Sequence, residues 1–203
     1  MDESADSLRE QRKRETRRAL TDAARRLTAE RGFTGFTVEE VCTEVGVSRR
    51  TFFNYFESKE NAVFGFAVLD PRQRALDEEF VAQGPDVDLV DAFVSRVIRG
   101  WELFDPLADA SEMFAVVERE PRLLKAAFAI LAENERRDVD LILRRQGDDD
   151  RLRAEVVVHS VGALVRMSVD QLLHHQSALT FRELVTQRLE IARSTFAPTE
   201  KAD

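Results

Sequence analysis

Cysteine is almost missing. The single Cys42 excludes an intramolecular disulfide framework and any Cys-x-x-Cys metal or redox pair. Glycine and proline are sparse, 8 and 5 in 203 residues, which excludes collagen-like and linker-rich chains and leaves helices few interruptions. There are three histidines, and His174 and His175 are neighbours. On a helix they point about 100° apart, so they do not chelate from one face, and neither a metal nor another cofactor is expected. No uncharged run approaches the ~18 residues of a membrane-spanning helix; Val156–Val165 covers ten. The opening MDESADS carries acids and no apolar core, unlike a signal peptide, so the expected compartment is the cytosol. A glycine-rich phosphate loop, an HExxH motif, a Ser-His-Asp order and paired catalytic carboxylates are all lacking, which leaves an all-helical enzyme as a weak alternative.

What is present is helical periodicity. At 43% apolar and 33% charged residues, the chain has the balance of a globular protein that buries a core. Its long Ala/Leu/Val/Arg/Glu segments predict an all-α fold of nine to ten helices. The net charge of −8 is unevenly spread: residues 8–59 hold 12 Lys/Arg against 8 Asp/Glu, whereas residues 60–203 hold 18 against 27. A basic head on an acidic body suits a nucleic-acid-binding end. A protein that coats DNA regardless of sequence would want positive charge on the body too.

Leu20, Ala23, Ala24 and Leu27 recur at helical spacing within 12–31, and Gly32 marks the stop. Thr37 and Glu40 form a T-x-x-E capping box that opens a helix to Val45. Gly46-Val47 make a turn, Ser48 caps a short helix to about Phe56, and Ser58 caps a third. Asp70-Pro71, Gly84-Pro85, Asp105-Pro106 and Glu120-Pro121 read as breaks. The helices between and after them are expected at 70–81, 87–104, 107–119, 121–146, 151–175 and 180–196.

Two short helices joined by a tight glycine turn make a helix-turn-helix, whose second helix enters the DNA major groove. In that second helix Phe52 and Phe56, spaced i and i+4, suit a core facing Leu27, Val41 and Val45. Arg50 and Asn54 share another face, with Arg49 and Phe53 one position behind. Arginine pairs with guanine and asparagine with adenine, so that face has base-reading chemistry. Thr37 and Ser48 bring hydroxyls and helix N-termini to where phosphates would lie.

The stretches RRALTDAARRLTAERGF, TVEEVCTEVGVSRRTFFNYF and SKENAV, from Arg17 to Phe64, resemble the DNA-binding domain of the TetR family of bacterial transcriptional regulators. The resemblance implies a three-helix head over 8–69 and a helical ligand-binding and dimerisation body over 70–197. It implies base contacts from Arg49, Arg50 and Asn54, with Thr51 beside them, and phosphate contacts from Thr37, Ser48, Tyr55 and Lys59. For Arg12, Lys13, Arg14, Arg17 and Arg18 it implies backbone or minor-groove contacts; the competing reading is a frayed polar terminus. Phe53 stands where many members carry a tyrosine, so a phosphate hydrogen bond from there is lost. Cys42 replaces the usual alanine and reads as a small packing residue.

The function implied is a ligand-responsive repressor, bound as a homodimer to a palindromic operator in double-stranded DNA and released by a small effector; a ligand-independent regulator is the alternative. The apolar stripes Val157, Val158, Val161, Leu164, Val165 and Val169, then Phe181, Leu184, Val185, Leu189 and Ile191, suit a monomer core. In the family the corresponding helix pair builds the dimer interface, where Gly162-Ala163 would allow close approach. Candidate effector contacts are Phe93, Trp101, Phe104, Met113, Phe114 and Phe128, with His159 and Arg166. The run FAVVEREPRLLKAAFAILAENERRDVDLIL, with TFFNYF, resembles the branch whose body takes acyl-CoA-like ligands, which implies an apolar effector; with no run long enough to span a bilayer, no membrane partner is expected.

Overall fold

The computed structural model describes residues 3–65, 71–104, 120–147, 149–174 and 177–197. The helix expected at 107–119, Met113, Phe114, His175 and the 69/70 boundary lie outside these residues, as do the side chains of Phe104 and His174. All regular structure among the described residues is helical: α1 Glu3–Arg31, α2 Val38–Val45, α3 Arg49–Tyr55, α4 Lys59–Phe64, α5 Pro71–Ala82, α6 Leu89–Phe104, α7 Pro121–Gln146, α8 Arg151–His174 and α9 Phe181–Phe196. None is long and apolar enough to cross a membrane.

Helix α1 starts well before the expected Arg12. Nothing between Glu3 and Arg31 is glycine or proline, and the added residues include Glu3, Ala5, Leu8, Arg9, Glu10 and Gln11, which favour helix. Gln11 Nε2 donates to Glu15 Oε1 at 2.9 Å one turn on. The helix ends at Gly32, where φ is 75°. A Cβ there would be strained and would stand 3.0 Å from Glu120 Oε1.

The chain forms two compact units. The first joins Met1–Asp70 to Asp109–Leu131, so the head takes in the start of α7 as well as the residues before position 70. Its core is Leu20, Ala24 and Leu27 of α1, Phe33 and Phe36 of the following loop, Val41 and Cys42 of α2, Phe52 and Phe56, Ala62 to Phe64 of α4, and Leu123 of α7. Phe52 and Phe56 are completely buried, each contributing about 1.5–3 kcal/mol of hydrophobic stabilisation. Ala126, Ala127 and Ile130 continue the contact along α7. Buried Arg25 donates Nε–H to Val63 O at 2.8 Å, tying α1 to α4.

The second unit, Pro71–Ala108 with Ala132–Asp203, packs Phe80, Phe93, Ile98, Val139, Ile142, Val158, Val161, Phe181 and Val185 together. Arg96 of α6 bridges Asp77 of α5 at 2.7 Å and Asp138 of α7 at 2.9 Å, and is itself largely buried. Burial pushes the Asp138 carboxyl above its ordinary range despite that partner. Helix α8 has two faces. Ala154, Val158, Val161 and Ser168 are buried, while Val156, Ser160 and Met167 are exposed. Of the stripe residues named from the sequence, Val158, Val161, Phe181, Leu184 and Val185 thus belong to the core of the single chain, whereas Ile191 is exposed.

Candidate nucleic-acid interface

Helix α2 is fixed at both ends by local bonds. Thr37 Oγ1 accepts the Glu40 N–H at 3.2 Å, and Glu40 Oε2 accepts the Thr37 N–H at 2.8 Å, closing the capping box. The Thr37 N–H and hydroxyl, with Arg31 behind them, hold the Glu40 carboxyl below its usual range. At the far end Gly46 adopts φ 76° and ψ 33°, and the Val47 N–H reaches Cys42 O at 2.9 Å. A Cβ on Gly46 would meet nothing within 4 Å, so backbone conformation, and not space, favours glycine in this turn. Ser48 then caps α3, accepting the Thr51 N–H at 3.0 Å while its hydroxyl pairs with Thr51 Oγ1 at 2.8 Å.

These bonds set the orientation of α3. Phe52 is fully buried and lies 5.7 Å from Phe56, ring centre to ring centre, so the inward face is locked in the core. The outward face carries Arg49, Arg50, Phe53 and Asn54, all exposed. Arg49 Nη1 pairs with Glu39 Oε1 of α2 at 3.0 Å, and its guanidinium lies 5.5 Å from the centre of the Phe53 ring. The residues expected to read bases are therefore together on one surface. Thr37, Ser48 and Thr51 sit at its two helix starts, with their hydroxyls engaged in capping.

Tyr55 is half-buried at the end of α3. With Leu8, Arg9, Arg12, Lys13 and Thr16 of α1 it lines an open groove of about 390 Å³. Arg9 joins the basic residues expected from the sequence: Arg9, Lys13, Thr16, Leu20 and Ala24 fall at helical spacing and carry the inward face of α1 past the edge of the core.

Lys59 was expected at a phosphate, and its ammonium is turned into the head. Nζ donates to Phe33 O at 2.6 Å and Phe36 O at 2.7 Å, and lies 4.3 and 4.1 Å from the centres of those two rings. Burial lowers its pKa. On the same loop the Phe33 N–H is accepted by Glu120 Oε1 at 2.7 Å. Cys42 is buried, and burial with nearby Glu39 pushes its thiol up, the opposite of what a reactive thiolate needs.

The candidate effector contacts are scattered. Phe93 is packed in the core of the second unit, and Trp101 stacks on Phe181 with ring centres 4.0 Å apart. His159 is exposed with Nδ1 3.6 Å from Glu135, Arg166 is exposed, and Phe128, exposed as well, belongs to the first unit.

The sequence pattern of bacterial regulatory proteins of the tetR family matches residues 20–62, from the buried stripe of α1 through α2 and α3 into α4. The chain is similar to the HTH-type transcriptional regulator TcmR of Streptomyces glaucescens, 34% identical over 175 residues that cover 78% of this chain and 74% of that protein. A capped helix-turn-helix with arginines and an asparagine on its outer face, inside that likeness, identifies the chain as a DNA-binding transcriptional regulator that belongs to the tetR family.

Proposed function

We propose that the chain is a repressor that binds a palindromic operator as a homodimer and leaves it when a small apolar effector of the acyl-CoA kind is bound. The observation that carries the DNA part is the division of α3: Phe52 wholly buried on one side, Arg49, Arg50 and Asn54 exposed on the other. Arg50 and Asn54 read base edges, and Arg49 either reads or steers from beside them. The starts of α2 and α3 at Thr37 and Ser48, with Thr51 and Tyr55, meet phosphates.

The dimer reading is supported by the outer faces of α8 and α9. Val156, Ser160 and Met167 form an exposed stripe on α8, space is open around Gly162, and Ile191 is exposed on α9. A two-fold pair carries two copies of α3 and suits an inverted repeat.

The effector reading draws its support from sequence likeness. Within the head unit the first turns of α7 supply Leu123 to the core, and Glu120 holds the loop that precedes α2. Release requires the effector to prefer one conformation, with a usual coupling of ~1–3 kcal/mol, or roughly 5–150-fold in operator affinity. Footprinting on the DNA upstream of the chain's own coding region tests the DNA part: a short symmetric protected site is expected, and featureless protection contradicts it. Titrating long-chain acyl-CoA with and without that site tests the effector: equal affinity in both titrations contradicts release by this ligand class.

A further inference from the structure

The outward face of α3 holds one residue that hydrogen-bond chemistry does not explain. Phe53 is 42% exposed in the midst of Arg49, Arg50 and Asn54. Its ring is not loose. It stands edge-on to the buried Phe52, centres 5.3 Å apart and planes at 81°, and the Arg49 guanidinium lies over it. Arg49 is in turn tethered to Glu39. The core side of α3 thus anchors an apolar ring on a polar surface, where exposure to water stabilises nothing in the free protein. Phenylalanine has no hydroxyl and offers a phosphate no donor.

In the major groove the base edges present donors, acceptors and one apolar group, the C5-methyl of thymine. We propose that Phe53 is a specificity-determining residue that selects a thymine by covering its methyl group, next to the base pairs met by Arg50 and Asn54. This inference rests on the base-reading placement of α3 argued above. It makes Phe53 a reader in its own right, and it separates its contribution from that of Arg49, whose guanidinium recognises acceptors.

The test uses the full chain and a duplex it selects from a random pool. Each thymine is replaced singly by deoxyuridine, which removes the methyl and leaves every hydrogen-bonding group in place. Affinity is expected to fall about fourfold at one thymine per half-site, the effect of one methylene-sized group returned to water. Phe53→Ala should bind the unmodified duplex more weakly and give the same affinity with thymine or deoxyuridine there. Phe53→Leu, still apolar, should retain part of the methyl sensitivity, which separates loss of contact from loss of fold. Sequence preference with no methyl sensitivity anywhere, or Phe53→Ala as sensitive as the wild type, overturns the assignment to Phe53 alone. Absence of any sequence preference in unmodified DNA overturns the base-reading placement and this inference with it.

Discussion

Lys59 is the residue whose chemistry changes most between pattern and structure. Its two carbonyl partners lie 26 and 23 residues earlier in the chain, so no local spacing reveals them. The ammonium satisfies the backbone of the loop that aims α2 and sits between two aromatic faces that favour a cation. Lys59→Met keeps the stem but orphans Phe33 O and Phe36 O, and is expected to cost about 1–3 kcal/mol of stability in thermal or denaturant unfolding. The salt dependence of DNA binding should stay as it is. A stable Lys59→Met whose salt slope drops by roughly one unit per half-site would return Lys59 to the phosphates. The Thr37–Glu40 box, by contrast, is legible because its partners are three residues apart. Glu40 has a depressed folded pKa, so its contribution is present above the ordinary carboxylate pKa and is lost as pH falls through the folded value. Acid unfolding of Glu40→Gln should lack that part of the slope below about pH 4.3, the ordinary glutamate value. An unaltered acid limb would mean that the box persists without its charge.

At the scale of the element, helices with caps and interruptions were readable in place: α2 and α3 begin after Thr37 and Ser48, each of which accepts a first-turn N–H, and α9 begins within one residue of the expected 180. Periodicity located the apolar faces of α8 and α9 but could not say what covers them. The stripe read from spacing includes Val161 and leaves out Met167. Packing separates them, with Val161 2% and Met167 56% exposed. Val161→Asp would bury an unpaired carboxylate and is expected to unfold the chain. Met167→Asp, alone or with Val156→Asp, should leave a folded monomer with native helix content, seen as halved mass in light scattering. A Met167→Asp/Val156→Asp protein that remains dimeric places the interface elsewhere. The docking of α7 on the head escaped the sequence for a related reason. Leu123 is one apolar residue in a long helix, and its head partners precede it by some sixty residues or more.

For the whole molecule, charge asymmetry and the helix-turn-helix residues were enough to separate a DNA-binding end from the remainder, because the caps, the turn and the residues proposed to read bases are contiguous in the chain. The proposed effector contacts were not legible to the same degree. A cavity is assembled from residues distant in sequence, and spacing does not tell that Phe93 is packed in the core while Phe128 is exposed. The central claim is that α3 reads bases in two symmetry-related copies. Selection of binding sites from random duplex DNA, performed in parallel with the wild type and Arg50→Ala, tests it most directly. The wild type should enrich an inverted repeat. Arg50→Ala should lose preference at one symmetry-related pair of positions, with a loss of ~1–3 kcal/mol on the wild-type site and little change on random DNA. Identical selected sites for the two proteins, or enrichment without two-fold symmetry, would contradict the claim.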